Sequence, residues 1–543
     1  MNTVRRLVMC LALAGCTPSK PPVRPLPPMS SSAYAYYLDG KLAAYRSDWD
    51  AAVESLREAA RAAPDQPMIA VELARALSKA KKDVAARETL ADARKRWPQH
   101  AQVWRVSGDM LAASAKPEAI RAYRRAIELS PDDEEAYVGL AKLQAPDDAE
   151  STLRELVDKL PTSVEGHYRL AVRLAKKGQF APAIVSLRRV LELDPDHLDA
   201  RLDLARALRR TGDLTRAIEQ TRSAFDRSGQ ALDIAEELYW LLCEADDRTA
   251  AIDLLTLLDD DRSDVDALAT VARLERGLGR IDQVRAIANR VAIVDADAGA
   301  LLHAELDGPA DPLAVAKKLL AISADSPRFI DARRLAANTL LAANDPAGAL
   351  AAITPAREKA PDDLDVTLVA LYARADSGDV AGAKAQASVL GSKLGATLVR
   401  ARLLDHVGDA KSALALLEPL LDAHSESSTL LNLVGYILAD GNQRLSDAER
   451  YLARARELAP GDPAILDSWG WLLVRQGKHR EAVRILDRAA RFSPREPEIL
   501  YHLAVAWTRD GAPRTARAIL DRASALHPTS AVQKRIDDLR RSM

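Results

Sequence analysis

Proline recurs at a fixed interval near the end of this chain of 543 residues. Pro460, Pro494 and Pro528 are equally spaced, and the same order of alanine, leucine and alanine precedes each of them. In each copy these small and apolar residues are four and three positions apart, which puts them on one face of a helix. A proline then ends that helix, because it disfavours the helical conformation of the residue before it. The interval of 34 residues between successive prolines predicts stacked helical units, each contacting only its neighbours.

Small residues also mark an earlier helix in each copy. Gly435 and Gly470 stand where two helices cross, since axes about 8–10 Å apart leave little room for a larger side chain. Gly477 and Gly511 lie between the two helices, where a left-handed glycine can end the first one. On these residues the sequence resembles the tetratricopeptide repeat, which has two antiparallel helices in each period of about 34 residues. The resemblance implies an all-α superhelix, or α-solenoid, of about fourteen helical hairpins.

The N-terminal half repeats the pattern at Pro64, Pro98, Pro131, Pro161 and Pro195. The step from Pro131 to Pro161 is the shortest of these, which predicts a trimmed helix or turn. Between about 231 and 330 the register blurs although helical periodicity persists, so we expect degenerate repeats there rather than an inserted catalytic domain. The predicted organisation is a signal peptide at 1–15, a tether at 16–32, a first repeat block at 33–230, degenerate repeats at 231–330, a second repeat block at 331–530 and a capping helix at 531–543.

The first residues suggest export. Arg5 and Arg6 precede an apolar run of eight residues, 7–14, which is too short to cross a bilayer that needs about 20. This order is typical of a secretory signal. The ending "LAGC" resembles the lipobox of bacterial lipoproteins, and the resemblance implies cleavage before Cys16 and lipidation of that cysteine. Two alternatives stay open, namely an ordinary signal peptide with an incidental cysteine and a false start on a cytoplasmic chain.

A proline-rich segment follows Cys16. The sequence "TPSKPPVRPLPPMSSS" has six prolines, so it favours an extended tether over a helix. Thr17 stands where related lipoproteins of the inner membrane carry aspartate, and this resemblance favours the outer membrane. We therefore expect a cell-envelope protein, attached to the outer membrane by lipid and facing the periplasm.

Composition and motifs give no sign of catalysis. A net charge of −2, from 76 basic and 78 acidic residues, gives no basis for nucleic-acid binding. The nine histidines have no metal-ligand spacing, and no Gly-x-Ser-x-Gly motif occurs. Acidic pairs such as Asp132-Asp133 and Asp362-Asp363 suit helix capping, and Cys243 suits a buried, inert thiol. We expect no enzyme, cofactor, metal or small-molecule substrate.

The first helices of the best repeats carry a candidate protein-binding groove. Tyr436, Trp471 and Tyr501 fall at comparable places in successive repeats, with charged residues beside them, and aromatic residues among polar ones are typical of binding hot spots. The alternative is that Trp471 packs between neighbouring repeats. The predicted groove consists of Asn432, Tyr436, Asp440, Asp467, Trp471, Arg475, Tyr501, Thr508 and Arg509.

A second candidate surface is the tyrosine-rich start of the first repeat block. Tyr34, Tyr36, Tyr37 and Tyr45 lie close together in the sequence there. The alternative, which we favour, is an N-terminal cap that packs onto the first repeat.

Residues 430–494 resemble the C-terminal block of certain tetratricopeptide lipoproteins of the outer membrane. The matching stretches are "LVGY" with "LAD" and "PAILDSWGW". In some of those relatives the lipoprotein is an adaptor for a periplasmic carboxyl-terminal processing protease. The resemblance implies a scaffold for a protease or a cell-wall enzyme. The alternative function is an assembly factor of an envelope machine that exports polysaccharide or pili, which loss of the exported polymer on deletion would reveal.

Overall fold

The computed structural model describes residues 28–260, 264–307, 311–459, 461–494, 496–526, 528 and 530–543. The predicted signal peptide, Cys16 and most of the predicted tether lie outside these residues. The chain divides into two compact units, Met1–Ala200 and Arg201–Met543. None of the helices in the described ranges combines the length and the apolar character that crossing a membrane requires.

Unit 1 is made of helices joined by short turns. They are α1 (Ser31–Tyr45), α2 (Trp49–Ala62), α3 (Pro67–Lys79), α4 (Asp83–Arg96), α5 (Ala101–Leu111), α6 (Lys116–Leu129), α7 (Glu134–Leu143), α8 (Pro146–Lys159), α9 (Val164–Lys176) and α10 (Phe180–Leu193). The boundary between the units falls inside α11, which begins at Leu198.

Unit 2 continues the same architecture. Its helices are α11 (Leu198–Arg210), α12 (Leu214–Arg227), α13 (Leu232–Glu244), α14 (Arg248–Asp260), α15 (Val265–Gly277), α16 (Ile281–Val294), α17 (Ala296–Asp307), α18 (Pro312–Leu320), α19 (Phe329–Ala342), α20 (Pro346–Lys359), α21 (Leu364–Asp376), α22 (Val380–Ser388), α23 (Leu394–His406), α24 (Ala410–Leu417), α25 (Ser428–Asp440), α26 (Leu445–Leu458), α27 (Pro463–Arg475), α28 (His479–Phe492), α29 (Pro497–Arg509), α30 (Pro513–Ala525) and α31 (Ser530–Ser542). A 3₁₀ turn, Glu418–Leu420, follows α24.

Every regular element in the described residues is helical, which confirms the predicted all-α fold. In the described residues, α1 to α30 correspond to fifteen successive hairpins, against about fourteen expected, and α31 follows them. The trimmed element before Pro161 is α7, with ten residues. Helices α13–α18 fill the stretch where the repeat register blurs.

The residues that the sequence indicates for helix crossings, turns and caps have these roles in the hairpins. A Cβ on Gly435 would come within 2.4 Å of Leu452 Cγ, so only glycine allows this crossing. Gly477 and Gly511 adopt positive φ angles of 76° and 88° at the turns. Asp133 caps α7 by accepting a hydrogen bond of 3.1 Å from the Ala136 N–H. These contacts confirm the predicted roles of glycine and aspartate.

Unit 2 also makes contacts between residues far apart in sequence. Arg209 Nη2 donates to the Leu458 carbonyl at 3.0 Å, so the end of α11 meets the end of α26. Arg488 Nη2, on α28, donates to the Cys243 carbonyl at 3.0 Å and also to the Glu244 carbonyl, both at the end of α13. These arginines satisfy carbonyls that the last turn of a helix leaves unpaired. Cys243 itself is fully buried, and burial raises the pKa of its thiol to about 12, as expected of an inert cysteine.

The predicted N-terminal segment forms helix α1, which packs against α2. Three of its four tyrosines, Tyr34, Tyr36 and Tyr45, are nevertheless 51%, 42% and 88% exposed. Only Tyr37 packs against the core of the first hairpins. The reason is that the buried face of α1 belongs to Ala33 and Gly40, which allow close approach to α2.

Candidate protein-binding surfaces

Polar and aromatic side chains on the first helices of the last repeats form one connected cluster in unit 2. They come from equivalent places on successive helices, so the repeat itself brings them together. We call this group the polar cluster. Its members are Asp405 on α23, Tyr436 and Asp440 on α25, Asp467, Trp471 and Arg475 on α27, Glu498, Tyr501 and His502 on α29, and Arg535 on α31.

A buried pair of Asp467 and His502 lies at the centre of the polar cluster. His502 Nδ1 lies 2.9 Å from Asp467 Oδ1 and 3.0 Å from Oδ2. His502 is fully buried and Asp467 is 7% exposed. A buried carboxylate requires such a partner, because an unpaired charge away from water is strongly destabilising. The pair therefore joins α27 to α29.

Trp471 is held on three sides. Its indole N–H donates to Asp440 Oδ1 at 3.0 Å, and its ring stacks on the His502 ring at 4.2 Å between centroids. The guanidinium of Arg475 lies 4.6 Å from the centre of the ring, a cation–π distance. Trp471 is only 5% exposed. It lies between neighbouring repeats, the arrangement that our alternative interpretation described.

Glu498, on α29, connects α25 with α31. It accepts a hydrogen bond of 3.3 Å from the Tyr436 hydroxyl and one of 2.7 Å from Arg535 Nη2. The same guanidinium lies 5.2 Å from the centre of the Tyr501 ring. Burial raises the pKa of Tyr436, and the nearby carboxylates of Glu498 and Asp440 add to this rise. The phenol therefore stays protonated and acts as a donor.

Negative charge accumulates on one side of the polar cluster. Burial raises the pKa of Asp405 from 3.8 to about 6, with further contributions from the carboxylates of Asp440 and Glu498. Arg475 and Arg535 offset part of this charge.

The remaining predicted groove residues lie outside the polar cluster. Asn432 is half-buried, and the described part of the chain offers its Oδ1 no hydrogen-bond donor. The Thr508 hydroxyl donates to the Ala504 carbonyl of its own helix at 2.8 Å. Arg509 is exposed at the end of α29. A binding role for the nine predicted residues stays a prediction.

Sequence reasoning missed four members of the polar cluster. The sequence pattern does not single out Asp405, Glu498 or His502, and Arg535 falls in the predicted capping helix at 531–543. The signal that could have found them is a separation of about one repeat. Asp467 and His502 are 35 residues apart, as are Asp440 and Arg475, so hydrogen-bonding side chains at that spacing meet across adjacent first helices.

Unit 1 has an open groove that the sequence did not reveal. It has a volume of about 800 Å³ and lies along α1 to α5. Its lining combines apolar residues, such as Leu56, Val106 and Met110, with charged ones. Among the charged residues, Glu72 accepts hydrogen bonds from Lys41 Nζ at 2.8 Å and from Arg75 Nη1 at 2.9 Å. The charged lining residues are Glu72, Arg75, Lys79, Asp83, Arg87 and Asp109.

Neither surface has the features of a metal site. In the ranges that the structure describes, no three histidine, cysteine, aspartate or glutamate side chains come close enough together to hold an ion.

Comparison with protein families matches several stretches of both units. Two family models, both described as tetratricopeptide repeat, match the chain. One covers residues 43–109 and 174–230 and the other covers 85–134, 398–463 and 468–531. The groove in unit 1 and the polar cluster in unit 2 both lie largely within these matches.

A curated relative is similar over a short stretch. It is the TPR repeat-containing protein PA4667 of Pseudomonas aeruginosa, 46% identical over 57 residues. This match spans 10% of the present chain and 10% of the relative.

Several solved structures are also similar, at low sequence identity. Naa15/Naa10 bound to HypK-THB gives 15% identity and a TM-score of 0.31, covering 94% of this chain and 96% of that one. PilF of Pseudomonas aeruginosa gives 17% identity and a TM-score of 0.33, covering 38% of this chain and 96% of that one. YrrB, a TPR protein with an unusual peptide-binding site, gives 17% identity and a TM-score of 0.29, covering 34% of this chain and 98% of that one.

The family matches lie in both units, over stretches in which the structure has paired helices and left-handed turns. Both units therefore contain tetratricopeptide repeats.

Proposed function

We propose that this protein is a lipid-anchored scaffold that holds a protein partner in the periplasm. Tetratricopeptide repeats bind protein partners, and this supports the binding part of the proposal. The anchor and the location rest on the lipobox-like sequence before Cys16 and on Thr17 after it. The partner we propose is a protease or a cell-wall enzyme, from the resemblance of residues 430–494 to adaptor lipoproteins.

The groove in unit 1 is the observation that supports partner binding best. Its volume is about 800 Å³. Protein interfaces combine apolar and polar contacts, and the lining of the groove offers both. The polar cluster in unit 2 is different, because its aromatic and charged groups already contact one another. We therefore propose the groove as the main contact and the exposed edge of the predicted C-terminal groove, at Arg509, as a second one.

Affinity capture from detergent-solubilised envelopes tests this proposal. Met110→Glu puts a charge into the apolar lining of the groove and should abolish recovery of the partner, because burying an unpaired carboxylate is costly. Val84→Glu is the matched control. Val84 lies on α4, is 65% exposed and does not line the groove. Arg509→Glu tests the C-terminal surface without altering the core. Equal recovery of the partner with Met110→Glu and Val84→Glu would rule out the groove.

The anchor needs its own measurement. The mass of the N-terminal peptide of protein taken from its native envelope should show Cys16 as the first residue, carrying acyl chains. An unmodified cysteine, or cleavage at another position, would contradict the anchor while leaving the capture result intact.

A further inference from the structure

Helix α1 carries an exposed apolar stripe. Tyr34, Leu38, Leu42 and Tyr45 are 51%, 47%, 48% and 88% exposed. Their spacings of four, four and three residues put them on one side of the helix. Gly40 is buried on another side, where an added Cβ would come within 2.6 Å of Leu56 Cγ on α2. Helix α1 therefore has two apolar faces, one that packs against α2 and one that is exposed.

Comparison with internal repeats shows what normally covers this stripe. Gly40, Gly435 and Gly470 are equivalent, because each meets a leucine of the following helix. Two positions later stand Leu42, Ile437 and Leu472, which are 48%, 3% and 0% exposed. Helix α27, which carries Leu472, packs on α26 of the preceding repeat. The stripe is thus the surface that a preceding helix covers elsewhere in the chain.

The opposite end of the chain is built differently. Helix α31 carries exposed charged residues, such as Lys534 and Asp538. A polar outer face of this kind is the usual end of a repeat array, because it keeps the array soluble. An apolar outer face on α1 therefore indicates a partner surface at this end.

The sequence before α1 limits what that surface can be. Residues 17–28 contain six prolines, so they do not favour a helix that could replace the missing one. A second copy of the chain is also disfavoured, because a stable dimer buries about 800 Å² on each partner, some 20–30 residues, and the stripe has four.

We propose that the stripe of Tyr34, Leu38, Leu42 and Tyr45 rests in the headgroup region of the membrane to which Cys16 attaches the protein. The inference rests on the lipid anchor of the proposed function. Tyrosine is enriched at membrane–water interfaces, where its ring and hydroxyl are both accommodated, and leucine enters the apolar region beneath. Lys20 and Arg24 are the charged residues between Cys16 and Ser30, and both favour an anionic surface.

The tether makes such a weak contact sufficient. Ser30, which caps α1, follows Cys16 by fourteen residues. At about 3.1 Å per residue, an extended segment of this length keeps α1 within roughly 40 Å of the lipid. A short tether gives a high effective concentration, so a four-residue stripe can stay bound where free protein would not. Membrane contact would then fix the orientation of α1 relative to the lipid surface.

Hydroxyl-radical footprinting tests the proposal. The chain beginning at Cys16 is coupled through that thiol to a maleimide lipid in vesicles of phosphatidylethanolamine and phosphatidylglycerol, since Cys243 is fully buried. The reference is the same chain capped with a soluble maleimide. Oxidation of Leu42 and Tyr45 should fall severalfold on the vesicles, whereas oxidation of Val185, which is 67% exposed, should not change. Equal oxidation of Leu42 and Tyr45 in the two forms would overturn the proposal.

Variants identify the source of the protection. Leu38→Ser together with Leu42→Ser should restore oxidation of Tyr34 and Tyr45 on vesicles, whereas Val185→Ser should not. Protection of the soluble form that rises with protein concentration would show pairing with a second copy and would also overturn the proposal. The chemical coupling of Cys16 does not depend on its acylation in cells. Unchanged oxidation on vesicles would therefore overturn the membrane contact of α1 without contradicting the proposed anchor or partner. Conversely, evidence against the anchor or the partner would leave the oxidation result valid.

Discussion

Single glycines decide how closely the two helices of a repeat approach. At Gly470 an added Cβ would lie 2.4 Å from Leu486 Cγ and 2.7 Å from its Cδ2. Both contacts are far shorter than van der Waals distance, so an alanine would force the leucine or the helices to move.

Gly470→Ala should therefore lower the free energy of unfolding by about 1–3 kcal/mol, the usual cost of overpacking. Gly391→Ala is the matched control, because nothing lies within 4 Å of its added Cβ. The control should change stability by no more than about 0.5 kcal/mol. Urea unfolding of the full chain measures both, and a Gly470→Ala midpoint equal to that of Gly391→Ala would contradict this account of the crossing.

A second prediction at the residue scale concerns Asp405 and pH. Its pKa rises from 3.8 to about 6 on folding, because burial, Asp440 and Glu498 disfavour its charge, while His406 acts in the opposite sense. The folded state therefore binds this proton more tightly than the unfolded state. The stability that the protonated group contributes is present below pH 3.8 and is lost as the pH rises through about 6.

Asp405→Asn should remove this loss. As the pH rises from 3.8 to about 6, the wild type should lose stability relative to the variant. Above that range the difference in free energy of unfolding between the two proteins should stay constant. Urea titrations at several pH values measure the difference. A constant difference across the window would show that the Asp405 pKa is not raised.

At the same scale, sequence reasoning predicted roles that depend on the backbone and missed those that depend on side-chain direction. Gly477 needs its positive φ angle whatever surrounds it, so its role could be inferred from position alone. The pairing of His502 with Asp467 depends on the offset between two neighbouring helices. Trp471 left two interpretations open for the same reason, since only the helix packing determines which side of α27 is covered.

At the scale of elements, the arginine contacts within unit 2 join helices that are distant in the chain. Arg488 on α28 donates to the Cys243 and Glu244 carbonyls at the end of α13. Burial lowers the pKa of its guanidinium, yet the group remains a charged donor. Hydrogen bonds of charged groups contribute about 1.5–3 kcal/mol each.

Arg488→Ala should therefore speed amide hydrogen exchange in the last turn of α13 and the turn after it, and should lower stability by about 1.5–3 kcal/mol. Arg480→Ala, an exposed position on the same helix, is the control and should leave this exchange unchanged. Identical exchange in the two variants would show that α13 and α28 do not hold each other in solution.

Element boundaries were predictable where a proline or glycine marks them and less so elsewhere. The repeat period indicated the paired helices from α25 to α30. The start of α1 at Ser31 falls inside the stretch assigned to the tether, because Ser30 caps the helix by accepting from the Ala33 N–H. Contacts of α11 and α13 with α26 and α28 join residues about 245 positions apart, which a local pattern cannot reveal.

At the scale of the whole molecule, the sequence predicted the class of fold but not the surfaces. The regular spacing of proline and glycine indicates helical hairpins, whereas the groove of unit 1 depends on how five helices are arranged. The groove and the apolar stripe of α1 lie in the same unit, so a partner bound in the groove would be held near the proposed lipid surface.

Photo-crosslinking in living cells tests the central claim, that this chain holds a protein partner, most directly. A photoreactive amino acid replaces Met110 in the groove or, as the control, the exposed Val84 on α4. The account predicts one major crosslinked protein from position 110 and none from position 84. No crosslink at position 110, or the same products from both positions, would contradict it.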